Sequence, residues 1–369
     1  MRKWHTALAG AAALSLALAG CGGNEGTTTG SGSGSSPGAG SGEQSKAKIG
    51  VILPDSASSA RWETADRKFL KAAFDAAGVE SDIQNAEGDT SKFQTIAEQM
   101  LSGGATVLAI VNLDSDSGKA VLDKAKQQGV PTIDYDRLTL GGSAEYYVSF
   151  DNVAVGKLQG EGLVKCLQND GKKEGNIVYL NGSPTDNNAT LFKQGYDSVI
   201  KQSPYKVVAD QSVPNWDNQQ GGTIFEQMLT SNKDIDGVLA ANDGLGNAAV
   251  AVLKKNKLNG KVPVTGQDAT VEGLQNVLAG DQCMTVYKAV KKEADAVAEL
   301  AIALAKGEKP SVDQVTKDVE GNRDVPSVLL EPQMVMKENV KDVVADGFVA
   351  KEDLCTGKFE AMCAEAGIQ

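Results

Sequence analysis

Histidine is almost missing from this chain. Of 369 residues only His5 is one, and it lies in a leader that an exported protein loses. A mature form without histidine has no imidazole for general-base work, for a serine or cysteine triad, or for a zinc site. Basic residues are also short: 36 Lys and Arg face 48 Asp and Glu, a net charge of −12, or −14 once Arg2 and Lys3 are removed. That balance argues against nucleic acid as a partner and against a basic membrane-binding face. Neither GxGxxG nor GxxxxGK occurs, so no phosphate-cradling loop is expected, and no cofactor is implied. The one long apolar run, Ala7 to Gly20, is too short to span a bilayer comfortably.

That run, preceded by Arg2 and Lys3, is built like a secretory signal over residues 1–20. It ends "LALAGC", which resembles the bacterial lipobox, where cleavage leaves a cysteine, here Cys21, to be lipidated. An ordinary signal peptide followed by a chance cysteine is the alternative. Lipid on Cys21 would anchor the protein to a membrane without spanning it. Residues 21–46 continue in Gly, Ser and Thr, which cannot bury a core and read as a flexible tether reaching about 25–30 Å. Four cysteines follow Cys21. Cys355 and Cys363 are close enough to staple a C-terminal turn, and the spacing of the four matches no zinc pattern.

From Lys48 onward strand and helix patterns alternate. "KIGVILP" reads as a buried strand. Phe93, Ile96, Ala97, Met100 and Leu101 fall on one helical face, and "TVLAIVNL", "PTIDY", "NIVYL", "GVLAA" and "VPVTG" read as further strands. After "YYVSFDN" the cycle starts again. Two successive βα series of about a hundred residues predict an α/β protein with two doubly wound parallel-sheet lobes.

Polar clusters recur where strands give out, and in open parallel sheets ligands bind outside the carboxyl ends of strands. Arg61 and Trp62 follow the first strand, Asp136 and Arg137 follow "PTIDY", and Asp186 and Asn188 follow "NIVYL". Asn242 follows "GVLAA", Asp268 follows "VPVTG", and Lys288 ends "CMTVYK". Singly, each has a plain structural reading: Asp186 and Asn188 as helix caps, Asn242 within a turn, Asp136 with Arg137 as an ion pair, Trp62 and Trp216 as core. Taken together, three carboxylates and three cations balance, which suits an uncharged molecule rich in hydroxyls. Trp62 and Trp216 add flat faces for the C–H side of a sugar ring.

At "ARW", "IDYDR", "YYVSFDN", "NGSPTDNNA", "ANDG", "GQDA", "MTVYK" and "DVPSVLLEP" the sequence resembles the sugar-binding proteins of bacterial ABC importers, most closely the D-xylose-binding branch, over about residues 47–350. The resemblance implies two lobes of periplasmic-binding-protein type I joined by a three-strand hinge. The first lobe would take 47–150 plus 289–325, the second 151–288 plus 326–369. It implies sugar contacts from Arg61, Asp136, Arg137, Asp186, Asn188, Asn242, Asp268 and Lys288, with Trp62 and Trp216 flanking the ring. On that topology Cys166 and Cys283 fall at one end of the second lobe and become a candidate pair. "LQNDGKKEGN" lacks the alternating oxygen ligands of a calcium loop, so no metal is expected. The resemblance further implies a monomeric, exported, non-enzymatic receptor that captures a monosaccharide and delivers it to the transmembrane subunits of an ABC permease. Rivals are a glucose, galactose or multi-aldose binder, a sugar-responsive repressor, and a glycosidase using two of the aspartates.

Overall fold

The computed structural model describes residues 47–368; the leader, Cys21 and nearly all of the Gly/Ser segment lie outside them. Lys48–Leu53 (β1) is an apolar run buried on both faces, as an interior strand of a parallel sheet must be. A π-helical turn, Trp62–Asp66, leads into Arg67–Ala76 (α1), and Glu80–Asn85 (β2) returns beside β1. The cycle repeats through Thr90–Ser102 (α2), Val107–Ile110 (β3), Ser115–Gln127 (α3), Thr132–Tyr135 (β4) and Tyr146–Phe150 (β5). Asp89 and Asp114 start α2 and α3 by accepting backbone N–H groups of the first turn.

The chain then leaves this sheet. Asn152–Asn169 (α4), Gly175–Asn181 (β6), Asn187–Ile200 (α5), Tyr205–Ser212 (β7), Asn218–Ser231 (α6), Gly237–Ala240 (β8), Asp243–Lys255 (α7) and Val271–Ala279 (α8) build the second lobe. Its parallel sheet runs β7-β6-β8. "VPVTG" adds only a single bridge, Val264 beside Val238, because the chain turns away at Gly266. Helices α4 and α5 touch backbone to backbone. A Cβ on Gly156 would lie 1.9 Å from the Phe192 carbonyl oxygen, so only glycine permits that approach.

Thr285–Tyr287 (β9) ends at the second crossing, and Val290–Ala305 (α9) packs Ala294, Val297, Ala298 and Ala301 against Ile49, Val51 and Val107 of the first sheet. Each such valine or isoleucine, fully buried, stabilises the fold by about 1.5–3 kcal/mol. Gln314–Asp318 (β10) and Arg323–Leu330 (β11) complete the first sheet in the order β10-β11-β5-β4-β3-β1-β2, parallel throughout except for β10 against β11. The expected lobe boundary at 325/326 therefore falls inside β11. Residues Ser327–Leu330 pair with Tyr147–Phe150, and the third crossing comes after Leu330.

Gln333–Val335 (β12) pairs antiparallel with β9, followed by Val340–Ala345 (α10), Lys351–Leu354 (α11) and Phe359–Glu365 (α12). The sequence beyond Phe348 matched no expected core, yet Val349, Leu354, Cys363 and Ile368 close over Leu274, Val277 and Leu278 of α8. Disulfides join Cys355 to Cys363 and Cys166 on α4 to Cys283, with Cα separations of 5.8 and 6.5 Å.

Candidate functional site

The carboxyl ends of the two sheets face one another, and between them lies a small cavity. All ten candidate residues line it: Arg61, Trp62, Asp136 and Arg137 from the first lobe, Asp186, Asn188, Trp216, Asn242 and Asp268 from the second, and Lys288 from the crossing. Ser58, Ser59 and Gln267, which carry no periodic or charge signal in the sequence, line it as well, together with Phe192 from the apolar stripe of α5.

On the first-lobe side Arg61 is the hub. The π-helical turn sets it five residues before Asp66, and the guanidinium grips that carboxylate through Nε (2.9 Å) and Nη2 (2.7 Å). Nη2 also donates to Glu293 of α9 at 2.6 Å, and Nη1 donates to Asp136 at 2.8 Å. Four of its five N–H groups are thus spent inside the protein, leaving one for a ligand. Tyr135 donates its hydroxyl to Asp66. Trp62 lies beneath both arginines, 4.5 Å from the Arg61 guanidinium and 5.6 Å from that of Arg137.

This cluster revises the charge balance. Asp66 and Glu293 are both fully buried and add two carboxyls to the three counted from the sequence. Burial pushes the Glu293 carboxyl well above its usual range against the pull of Arg61, favouring its neutral form. Burial also raises Asp66, with Arg61 and Tyr135 opposing. Asp136 goes the other way: burial would raise it, but Lys288, Arg61 and Arg137 outweigh that and hold it at about 2. A carboxylate so firmly ionised is unfit as a general acid.

On the second-lobe side the capping reading and the ligand reading coexist. Asp186 caps α5 with Oδ1, accepting from the Asn188 N–H at 2.9 Å. Its Oδ2 accepts from Trp216 Nε1 at 3.0 Å and meets Arg137 Nε of the opposite lobe at 3.0 Å. Asn242 caps α7 with Oδ1 and donates its amide across the cleft to the Ser58 carbonyl at 2.9 Å. Asn188 donates to Asp136, at 2.9 Å to the carbonyl and 3.1 Å to the carboxylate. Ser59 donates to Asp268 at 2.8 Å, and Lys288 Nζ stands 3.2 Å from Asp268 and 3.6 Å from Asp136. The lobes are clasped.

Three cavity residues are held at positive φ: Asp136 (61°), Trp216 (55°) and Asp268 (101°). Non-glycine residues adopt such angles at a cost of order 1–3 kcal/mol each, and they persist where neighbours enforce them. Trp216 lies flat over Gly182, where a Cβ would come within 2.0 Å of the indole. Among the cavity residues, Gln267 Oε1 is buried with no hydrogen-bond partner, and Asp268 Oδ1 has only the Lys288 ammonium at 3.2 Å.

Known proteins resemble this chain in sequence and fold. The sequence profile described as a periplasmic binding protein domain matches residues 49–309. The D-xylose-binding periplasmic protein of Escherichia coli (strain K12) is 37% identical over 317 residues, 84% of this chain and 93% of that one. The multiple sugar-binding periplasmic receptor ChvE of Rhizobium radiobacter is 33% identical, covering 84% and 92%. The crystal structure of an ABC transporter solute-binding protein from Clostridium phytofermentans with bound β-D-glucose superposes with a TM-score of 0.75 at 28% identity, covering 83% of this chain and 99% of that one.

Proposed function

This chain belongs to the periplasmic binding protein family, and from that premise we propose that it is an extracytoplasmic receptor which captures one monosaccharide, D-xylose first among candidates, and hands it to an ABC permease. The observation that carries the reading is a buried acceptor of a cavity residue, Gln267 Oε1, left without a partner in a cavity walled by charged side chains, beside Asp268 Oδ1, which meets only the Lys288 ammonium. A hydroxyl group supplies the donor that the Gln267 oxygen needs. A buried acceptor left unmet costs about 1–3 kcal/mol, so a sugar lacking the matching hydroxyl is rejected.

Ligand touching both lobes binds the clasped form better than an opened one and so draws the equilibrium toward closure. Hinge closure of this kind is established for periplasmic binding proteins as a class. The three crossings, near Asp151, Lys288 and Glu331, are the places where backbone angles would change. The clasped form would dock as a monomer on the permease, and lipid on Cys21 would keep it at the outer face of the cytoplasmic membrane.

A second reading, a glucose or multi-aldose receptor, is favoured by the glucose-bound and multiple-sugar relatives. Titration calorimetry with D-xylose, D-glucose, D-ribose and L-arabinose separates the two. Tightest binding of D-xylose is expected; a preference for glucose replaces the first reading with the second, and no heat from any aldose removes both. Cys21→Ala should release the protein from the membrane fraction, and retention there refutes the anchor.

A further inference from the structure

Asp243 sits directly after a cavity residue, Asn242, yet it does not itself line the cavity. It is fully buried. Oδ1 accepts from Gln282 Nε2 at 2.9 Å and from Thr285 Oγ1 at 2.8 Å. Oδ2 accepts from the Thr270 N–H at 2.8 Å and from Thr270 Oγ1 at 3.1 Å. Its own N–H donates to the Gln267 carbonyl at 2.9 Å. One residue therefore ties together the start of α7, the loop through Gly266–Thr270, the segment entering β9, and β9 itself. Three of these four lead into the cavity wall: the start of α7 through Asn242, the loop through Gln267 and Asp268, and β9 through Lys288, three residues beyond Thr285.

Two further features show how closely this carboxylate is fitted. A Cβ on Gly266 would fall 2.0 Å from Oδ1, and one on Gly273 would fall 2.2 Å from an Asp243 carboxylate oxygen, so two glycines shape its slot. The loop it grips also holds left-handed angles at two successive non-glycine residues, Asp268 (φ 101°) and Ala269 (φ 52°). Such a loop keeps its shape only if something overdetermines it, and the Thr270 N–H, two residues past Asp268, is where the carboxylate takes hold.

We propose that Asp243 is a positioning residue for ligand binding: by collecting four donors from Thr270, Gln282 and Thr285 it sets Asn242, Gln267, Asp268 and Lys288 in the arrangement that accepts a sugar. The inference rests on the sugar-receptor reading above. Four donors converge on two oxygens, and Asn in place of Asp would turn an N–H₂ group toward two of them.

The test uses the full chain and D-xylose, with calorimetry at 20 °C on Asp243→Asn, Gly273→Ala and Thr285→Val. Gly273→Ala leaves the carboxyl in place in the sequence and only displaces it; Thr285→Val removes one donor and keeps the shape. The expected result is binding more than threefold weaker in each folded variant, with the stoichiometry still one sugar per chain. If Asp243→Asn does not fold, the other two decide. Affinities within threefold of wild type, or a lowered stoichiometry at unchanged affinity, would mean that Asp243 serves stability alone and would overturn the proposal. Failure of the wild-type protein itself to bind any aldose would instead remove the receptor reading beneath it.

Discussion

Replacing Asp186 by alanine should weaken sugar binding more than the loss of one ligand contact accounts for. In the clasped form Arg137 and Asp186 lie on opposite lobes, 6% and 3% exposed, with Nε 3.0 Å from Oδ2. Without the carboxylate Arg137 keeps only the Asn112 carbonyl at 3.1 Å, and Trp216 Nε1 loses its acceptor. Stranding one member of a buried ion pair costs about 3–5 kcal/mol. An unpaired neutral donor adds about 1–3 kcal/mol. Water reaches both groups once the lobes part, so the cost falls on closure and appears in Kd. Allowing for relaxation and water entry, about 2–4 kcal/mol remains, a rise in Kd of about 30- to 700-fold. Calorimetry measures it, and small-angle scattering with saturating sugar shows whether the closed dimensions are still reached. Asp186→Ala in an Arg137→Ala background should cost less, because no stranded cation is left. A Kd within threefold of wild type, or full additivity in the double variant, would refute the reasoning.

Gly182→Ala should displace the Trp216 ring from its seat and weaken binding about tenfold or more, since a methyl 2.0 Å from the indole forces one of them to move. With residues 1–20 removed only Trp62 and Trp216 remain, both at the cavity, so the change in sugar-induced tryptophan fluorescence reports it. Stability should fall as pH rises from about 5 to 7. Burial, against hydrogen bonds from Thr139, pushes Asp134 up to about 7, and burial raises Asp243 similarly. The folded state then keeps a proton that the unfolded chain has already released above about pH 4, an effect of at most about 2.5 kcal/mol per carboxyl over that interval. Asp136, held at about 2, acts in the opposite sense but only below about pH 4. Urea midpoints at pH 5.5 and 7.5 measure the slope; Asp134→Asn should flatten it, and an equal slope in that variant counts against the assignment.

Much of the cavity was legible because strand ends announce themselves: an apolar run stops, short polar residues follow, and a helix begins. The same chemistry that caps a helix can reach across a cleft, which is why Asp186 and Asn242 satisfied both readings at once. Asp66 and Glu293 escaped notice for a physical reason. "VKKEADAVAEL" reads as an amphipathic helix with solvated charges, and only the docking of α9 beside Arg61 turns Glu293 inward. Ser58, Ser59 and Gln267 sit in irregular loops with no period to read. The lobe boundary was placed five residues early because β11 continues past Pro326, a proline that the strand accommodates while pairing with both β10 and β5.

Both cystine links belong to the same half of the molecule. Cys166–Cys283 and Cys355–Cys363 cross-link the half built from α4 through β9 and the C-terminal helices, whereas the half around β1 to β5 contains no cysteine at all. Covalent closure narrows the denatured ensemble of one half only. Both halves are assembled from two distant stretches of chain, but only one carries covalent links within its stretches. Heat or a protease should therefore open the molecule from the amino-terminal side, leaving the stapled half as the residual fragment. The carbohydrate, bridging the two, would be what lends the looser half its endurance.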